Sequence, residues 1–422
     1  MTEAVPDAQN RMMSDLNALC DFGGRLCGTA SESAARDWLA EAGSQALGVP
    51  VAMHLVSYDG WRATRTSLTI PGLGAVEAHP LLKSTATPKG GIEAEVLDLG
   101  RGLDADFSQV GEALRGKIAM VRHEVMFSED TFHRRKKLKL ARAAGAVGVL
   151  VVSRLPGEPV TGSARATEPT LPAVGISPET AAHLSRTSDR EKRARIIIET
   201  DETSVEATNL IFDRPSTSGK TVVLSAHFDG HDLGESALDN ASGVAACLEV
   251  ARRLSRVKTR HGLRLVFFTV EEWGLLGSHK YLQDQTEEER SAIILNINAD
   301  TVVGGTRLTA MTSGFKGVSR WLETTAKQIG AELQVFEPFQ ANSDNASFAR
   351  FGIPAFRLVS GFNEPESSVK YVLTRGDVRA LVDPKAMQNA ADTLESIARC
   401  ALNASDIETE SWRFPHKDTQ NA

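Results

Sequence analysis

The residues most able to do chemistry stand where apolar runs end. TVVLSA leads into His227-Phe228-Asp229, LRLVFFTV into Glu271-Glu272, and AIILNINA into Asp300. A further acid, Asp239, opens the segment DNASGVAACLEVARRL. One imidazole and several carboxylates gathered at one sheet edge need a counter-charge, because desolvation and mutual repulsion both oppose ionisation. A divalent cation supplies it. Asp229, two residues after His227, falls on the same side of an extended segment and could accept the imidazole N–H, fixing the tautomer. The adjacent Glu271 and Glu272 suggest a division of labour in which one binds the metal and the other takes a proton from the water that the metal activates. Taken singly, Asp239 could be a helix N-cap, the Glu pair a solvated surface and Asp300 a turn residue. Their succession at consecutive strand ends points instead to a metal-dependent hydrolase.

The elements that position them alternate. TVVLSAH, LRLVFFTV, AIILNINA and IPAFRLV have strand length, with helical stretches at Gly243–Leu254 and Gly317–Ile329 between them. Near-continuous apolar strands separated by helices predict an α/β fold, with a mainly parallel mixed sheet sandwiched by helices. In such sheets functional side chains collect beyond the carboxyl ends of the strands. Upstream, SESAARDWLAEAGSQAL predicts a helix stopped by Gly48 and Pro50. From about Val51 to Thr200 the short runs TSLTIPGLG, AEVLDLG, GKIAMV, GVLVV and LPAVGI predict a β-rich part. One basic helix, from Arg134 to Ala144, interrupts it; its charges could attract an anionic substrate or simply form a solvated face.

The 422 residues predict two or three domains, and the net charge of −7 argues against nucleic-acid binding. No apolar run has membrane-spanning length, so no membrane association is expected. The first residues lack a basic segment followed by an apolar one, which predicts a cytoplasmic location. Cys20, Cys27, Cys247 and Cys400 lack metal-site spacing and are expected to be reduced thiols. A homo-oligomer is possible.

SAHFDGHDLGESALDNASGVAACLEVARRL, FFTVEEWGLLGSHKYL, NINADTVVGG and SDNASFARFGIPAF together resemble the two-zinc aminopeptidases and their carboxypeptidase Q-like relatives. The upstream runs resemble that group's inserted protease-associated domain. The resemblance implies a catalytic domain over residues 1–60 and 205–422 and an insertion over 61–204. It implies that His227 and Asp300 bind one metal and Glu272 the other, that Asp239 bridges them, that Glu271 is the general base, and that the Asp239–Asn240 peptide is cis.

The pattern breaks once. In KYVLTRGDVRALVDP the register is kept by Thr374, Asp377, Asp383 and Pro384, but the family's fifth ligand, a histidine, is replaced by Leu373. Asn345 stands where many relatives have histidine. The loss predicts one tightly bound Zn2+ rather than two, in an oxygen-rich site that also accepts Mn2+ or Co2+. His231, His279 and His416 are the candidate substitutes. With Leu373 and Arg375 at the site's mouth, Arg375 could pair with a substrate carboxylate. The expected activity is cleavage of a small peptide as an aminopeptidase or dipeptidase. The alternatives are an amidohydrolase or deaminating hydrolase of a small carboxylate-bearing compound, and a binding protein with a decayed site.

Overall fold

The structure, a computed structural model, describes residues 8–164, 169–188 and 191–413. Fourteen strands among these residues join in one hydrogen-bonded sheet system. At its centre Thr221–His227 pairs in parallel with Gly262–Phe268 on one side and Ile293–Ala299 on the other. Ala355–Ser360 follows in parallel, and Leu308–Met311 then pairs with it antiparallel, so the sheet is mixed, as expected.

Alternation along these strands sorts their side chains to two covered faces. Val222, Leu224, Ala226, Leu265 and Phe267 share a core with the helices Ala8–Asp21, Ala30–Leu47, Ser242–Leu254 and Pro384–Leu402. Val223, Val266 and Phe268 point the other way, onto Tyr281, Leu282 and Phe348. The second helix begins as its sequence predicts, with Thr29 accepting from the Glu32 N–H. It stops at Gly48, whose φ of 74° suits glycine.

Two long strands carry the chain between its halves. Val51–Ile70 and Arg193–Arg214 pair antiparallel from Val51 opposite Phe212 to Thr69 opposite Arg195, with a bulge between Ala63 and Arg65. Their far ends lie in different cores, Leu210 and Phe212 in one and Leu68, Ile70, Ile196 and Ile198 in the other. Their middles are largely exposed, so stretches such as WRATRT and ETDETS lack an apolar pattern although they are strand. The sequence-based boundaries at 60/61 and 204/205 therefore fall inside continuous strands. Beyond them Ile92–Asp98, Ile118–Arg122, Gly148–Val152 and Ala173–Ile176 form a parallel sheet, against which the basic helix Arg134–Ala143 packs through Leu138 and Ala141. The four cysteines are unpaired. Among the described residues no helix is long and apolar enough to cross a membrane.

Candidate metal centre and active site

The parallel register places His227 beside Phe268, so the strand ends at His227, Glu271-Glu272 and Asp300 lie along one edge. His227 Nε2 is 3.1 Å from Asp239 Oδ1 and 3.7 Å from Asp300 Oδ1. Among the described residues, one group of three potential metal ligands has donor atoms within 4.8 Å of one another: His227, Glu271 and Asp300, all buried.

Asp239 reaches the cluster from a loop joined to the Ser242–Leu254 helix, and its peptide bond to Asn240 is cis. Asn240 ties this corner to the Asp300 strand. Its amide donates to the Ala299 carbonyl at 3.0 Å, and its Oδ1 accepts from Gly243 and Thr301. Asp377 accepts the N–H groups of Leu238 and Asp239 at 2.7 and 3.2 Å. Asp300 is held by Arg357, whose guanidinium lies 3.1 Å from Oδ1, and by the Ser343 hydroxyl.

Asp229 does something other than expected. His227 Nδ1 lies 3.1 Å from the main-chain carbonyl of Asp229 and 3.7 Å from its carboxylate, so the backbone oxygen fixes the tautomer. The Asp229 carboxylate instead accepts the N–H groups of Glu271 and Glu272, both at 3.2 Å. The strand stops at His227 and the chain turns, so the extended geometry behind the expectation does not persist. Asp229 thereby aims the Glu pair.

The electrostatics are those of a site short of positive charge. Burial, with neighbouring Glu272, Asp344 and Asp300, pushes Glu271 well above the carboxylate range although His227 opposes it. Burial and the charge of Asp300 raise Asp239. Burial would also raise Asp300, but Arg357 and His227 outweigh it and hold that group low. Burial would lower His227, yet Glu271 and the Asp229, Asp239 and Asp300 contacts raise it well above its usual value.

Other candidates lie differently. Arg375 is turned away, its guanidinium on Glu77 and Glu158 of the inserted part, because those carboxylates meet it first. Leu373, at φ 67°, is buried in the apolar core, and its carbonyl accepts from the Thr161 N–H. Asn345 donates to Ser313. His279 packs on Phe351. His416 lies outside the described residues.

Sequence reasoning missed Arg25, Asp344 and Arg357, and of the three candidate substitute histidines the structure brings His231 to the site. Asp344 precedes the Asn345–Arg350 helix but makes no side-chain cap. Both its oxygens lack a hydrogen-bond partner, and burial lifts its carboxyl to about 7. His231 stands with Nε2 2.7 Å from Glu272 Oε2. Buried polar groups are normally paired, so unpartnered atoms on His231, Glu272 and Asp344 beside so many acids fit a divalent cation.

Residues 209–398 match Peptidase family M28, and residues 84–184 match the PA domain. The part of the chain that carries the site is thus similar to the M28 peptidases. Aminopeptidase YwaD of Bacillus subtilis is 28% identical over 320 residues, covering 73% of this chain and 67% of that protein. The probable lipoprotein aminopeptidase LpqL of Mycobacterium tuberculosis is 26% identical, covering 93% of this chain and 81% of that one. The structure of BSAP, a zinc aminopeptidase from Bacillus subtilis, superposes with a TM-score of 0.77 at 25% identity, over 96% of this chain and 97% of that one. The chain is a metal-dependent hydrolase, and the segment that matches the PA domain lies between the two long strands.

Proposed function

We propose that this chain is a zinc-dependent aminopeptidase acting on small peptides. The observation that carries the reading is the convergence of His227, Asp239, Asp300, Glu271 and Glu272 at one buried sheet edge. His227, Asp239 and Asp300 would hold the first ion, and Glu272 offers a further oxygen. A zinc ion there supplies Lewis acidity toward water and the substrate carbonyl. Glu271 takes the proton of the attacking water as it adds to the carbonyl carbon, then passes it to the amine as the C–N bond breaks. Asp229 holds Glu271 by its N–H, and Arg357 keeps Asp300 ionised as a ligand.

A cavity of about 1120 Å³ reaches Gly274 and Leu275, just past the Glu pair, and it is the space this reading assigns to the substrate's downstream end. Arg135, Lys136, Lys139, Arg142 and Arg350 line it together with Phe336, Pro338 and Phe339. Arg135 is near enough for Glu271 and Glu272 to act on its charge. A basic, partly apolar cavity favours peptides carrying carboxylates after the scissile bond. Chelation should abolish release of the N-terminal residue from such peptides, and zinc should restore it, with mass spectrometry showing the remainder intact. Internal cleavage, or activity indifferent to chelation, would sink the reading.

A further inference from the structure

We propose that His231 is a metal ligand, forming with Glu272 and the shared Asp239 a second site for a divalent cation such as zinc; this rests on the metal-dependent reading above. His231 Nε2 and Glu272 Oε2 stand 2.7 Å apart, an ion-pair contact, yet His231 Nδ1 and Glu272 Oε1 have no hydrogen-bond partner. Both side chains are buried, at 4% and 8% exposure. A histidine serving only as packing would have its nitrogens satisfied. A buried imidazole and a carboxylate converging with donor atoms left over are the donor set of a borderline cation. Asp239 lies within electrostatic reach of both.

The loop that presents His231 is built rather than slack. The His231 N–H donates to Ser236 Oγ at 3.1 Å, and the Gly230 N–H donates to the Arg25 carbonyl. A Cβ on Gly24 would sit 1.7 Å from the His231 carbonyl oxygen, so glycine is required where the loop crosses the N-terminal segment. The family resemblance places the fifth ligand at Leu373, which is committed to the apolar core. The nitrogen lost there is regained from a different loop, and the single-ion expectation drawn from Leu373 gives way to two ions per chain.

The test is metal content. Full-length protein loaded with zinc and desalted is measured by elemental analysis beside His231→Ala, with circular dichroism confirming the fold of each. The parent should hold two zinc ions per chain and the variant one. A parent holding one, or a variant still holding two, overturns the proposal; the second result would mean that His231 and Glu272 form only an ion pair. A parent holding none would overturn the metal-dependent reading as well. His231→Cys provides an independent readout: loaded with Co2+, it should show thiolate-to-cobalt charge-transfer absorption that the parent and His279→Cys lack. Absence of that band in a folded, cobalt-loaded variant also overturns the assignment.

Discussion

Arg25 should hold the active-site loop together, and removing its charge should cost both stability and rate. It is fully buried and donates five hydrogen bonds to main-chain carbonyls: Phe228 at 2.8 Å, Leu19 at 3.2 Å, Gly23 at 2.9 Å, Glu235 at 2.8 Å and Ser236 at 2.8 Å. Phe228 and Ser236 bracket the loop between His227 and Asp239. Arg25→Met keeps the apolar stem and removes the donors. Hydrogen bonds from a charged group contribute about 1.5–3 kcal/mol each. The sum is offset by the several kcal/mol spent desolvating the guanidinium. A net loss of about 4 kcal/mol is expected, in the range of other broken buried networks. At about 2.1 cal/mol/K per residue, a cooperative unit of this length would lower its Tm by about 4–5 °C. Displacing His227 and Asp239 by a fraction of an ångström should cut kcat/KM by about 10–100-fold at 25 °C, well below the melt. Lysine has three donors on one atom and cannot reach five carbonyls, so Arg25→Lys should recover less than half of either loss. Differential scanning calorimetry and aminoacyl-anilide kinetics measure the two effects. An unchanged Tm together with an unchanged kcat/KM for Arg25→Met would refute the reasoning.

Further outcomes follow from the charges around the site. Arg357→Met strands the Asp300 carboxylate and should cost about 3–5 kcal/mol in chelated protein. The penalty in Tm should be smaller with zinc loaded, because the ion then compensates Asp300; equal penalties would contradict the placement. Glu32, buried and hydrogen-bonded by Thr269, is raised from 4.5 to about 7, chiefly by burial. Its folded form binds the proton more tightly than the unfolded chain does, so its contribution to stability is full below the unfolded value and declines as pH rises towards 7. Glu32→Gln should remove that slope, a relative gain of at most about 3 kcal/mol at pH 8; parallel pH–Tm curves for parent and variant would refute it. Arg350, which lies over the Phe339 ring and lines the basic cavity, should favour acidic substrates. Arg350→Gln should raise KM for peptides with a downstream acid by about fivefold and leave neutral ones unchanged, with the difference shrinking in salt.

The metal-bearing edge was legible because its strands are buried on both faces. TVVLSA, LRLVFFTV and AIILNINA are mostly apolar and none contains an acid or a histidine, so the first such residue after each marks where the strand has ended. The exposed middles of Val51–Ile70 and Arg193–Arg214 carry no such signal, so the boundaries at 60/61 and 204/205 fall inside them. His231 sits in GHDLG, a composition typical of exposed turns, yet its loop crosses Gly24 closely and the residue is buried. Arg25 and Arg357 are single charges in local sequence, and nothing there distinguishes a carbonyl clamp or a carboxylate partner from a solvated surface. Arg375 is bound by Glu77 and Glu158, which approach it from distant parts of the chain and leave no sign beside it in the sequence.

The most direct test of the account is Glu271→Gln, compared with the parent for turnover and metal content in the same preparations. Glutamine keeps the shape and cannot take the proton. The account predicts that kcat falls by about 10²–10⁴-fold while bound zinc and fold are unchanged. A kcat within about threefold of the parent, with zinc retained, would contradict the role of Glu271 as the base and with it the central claim.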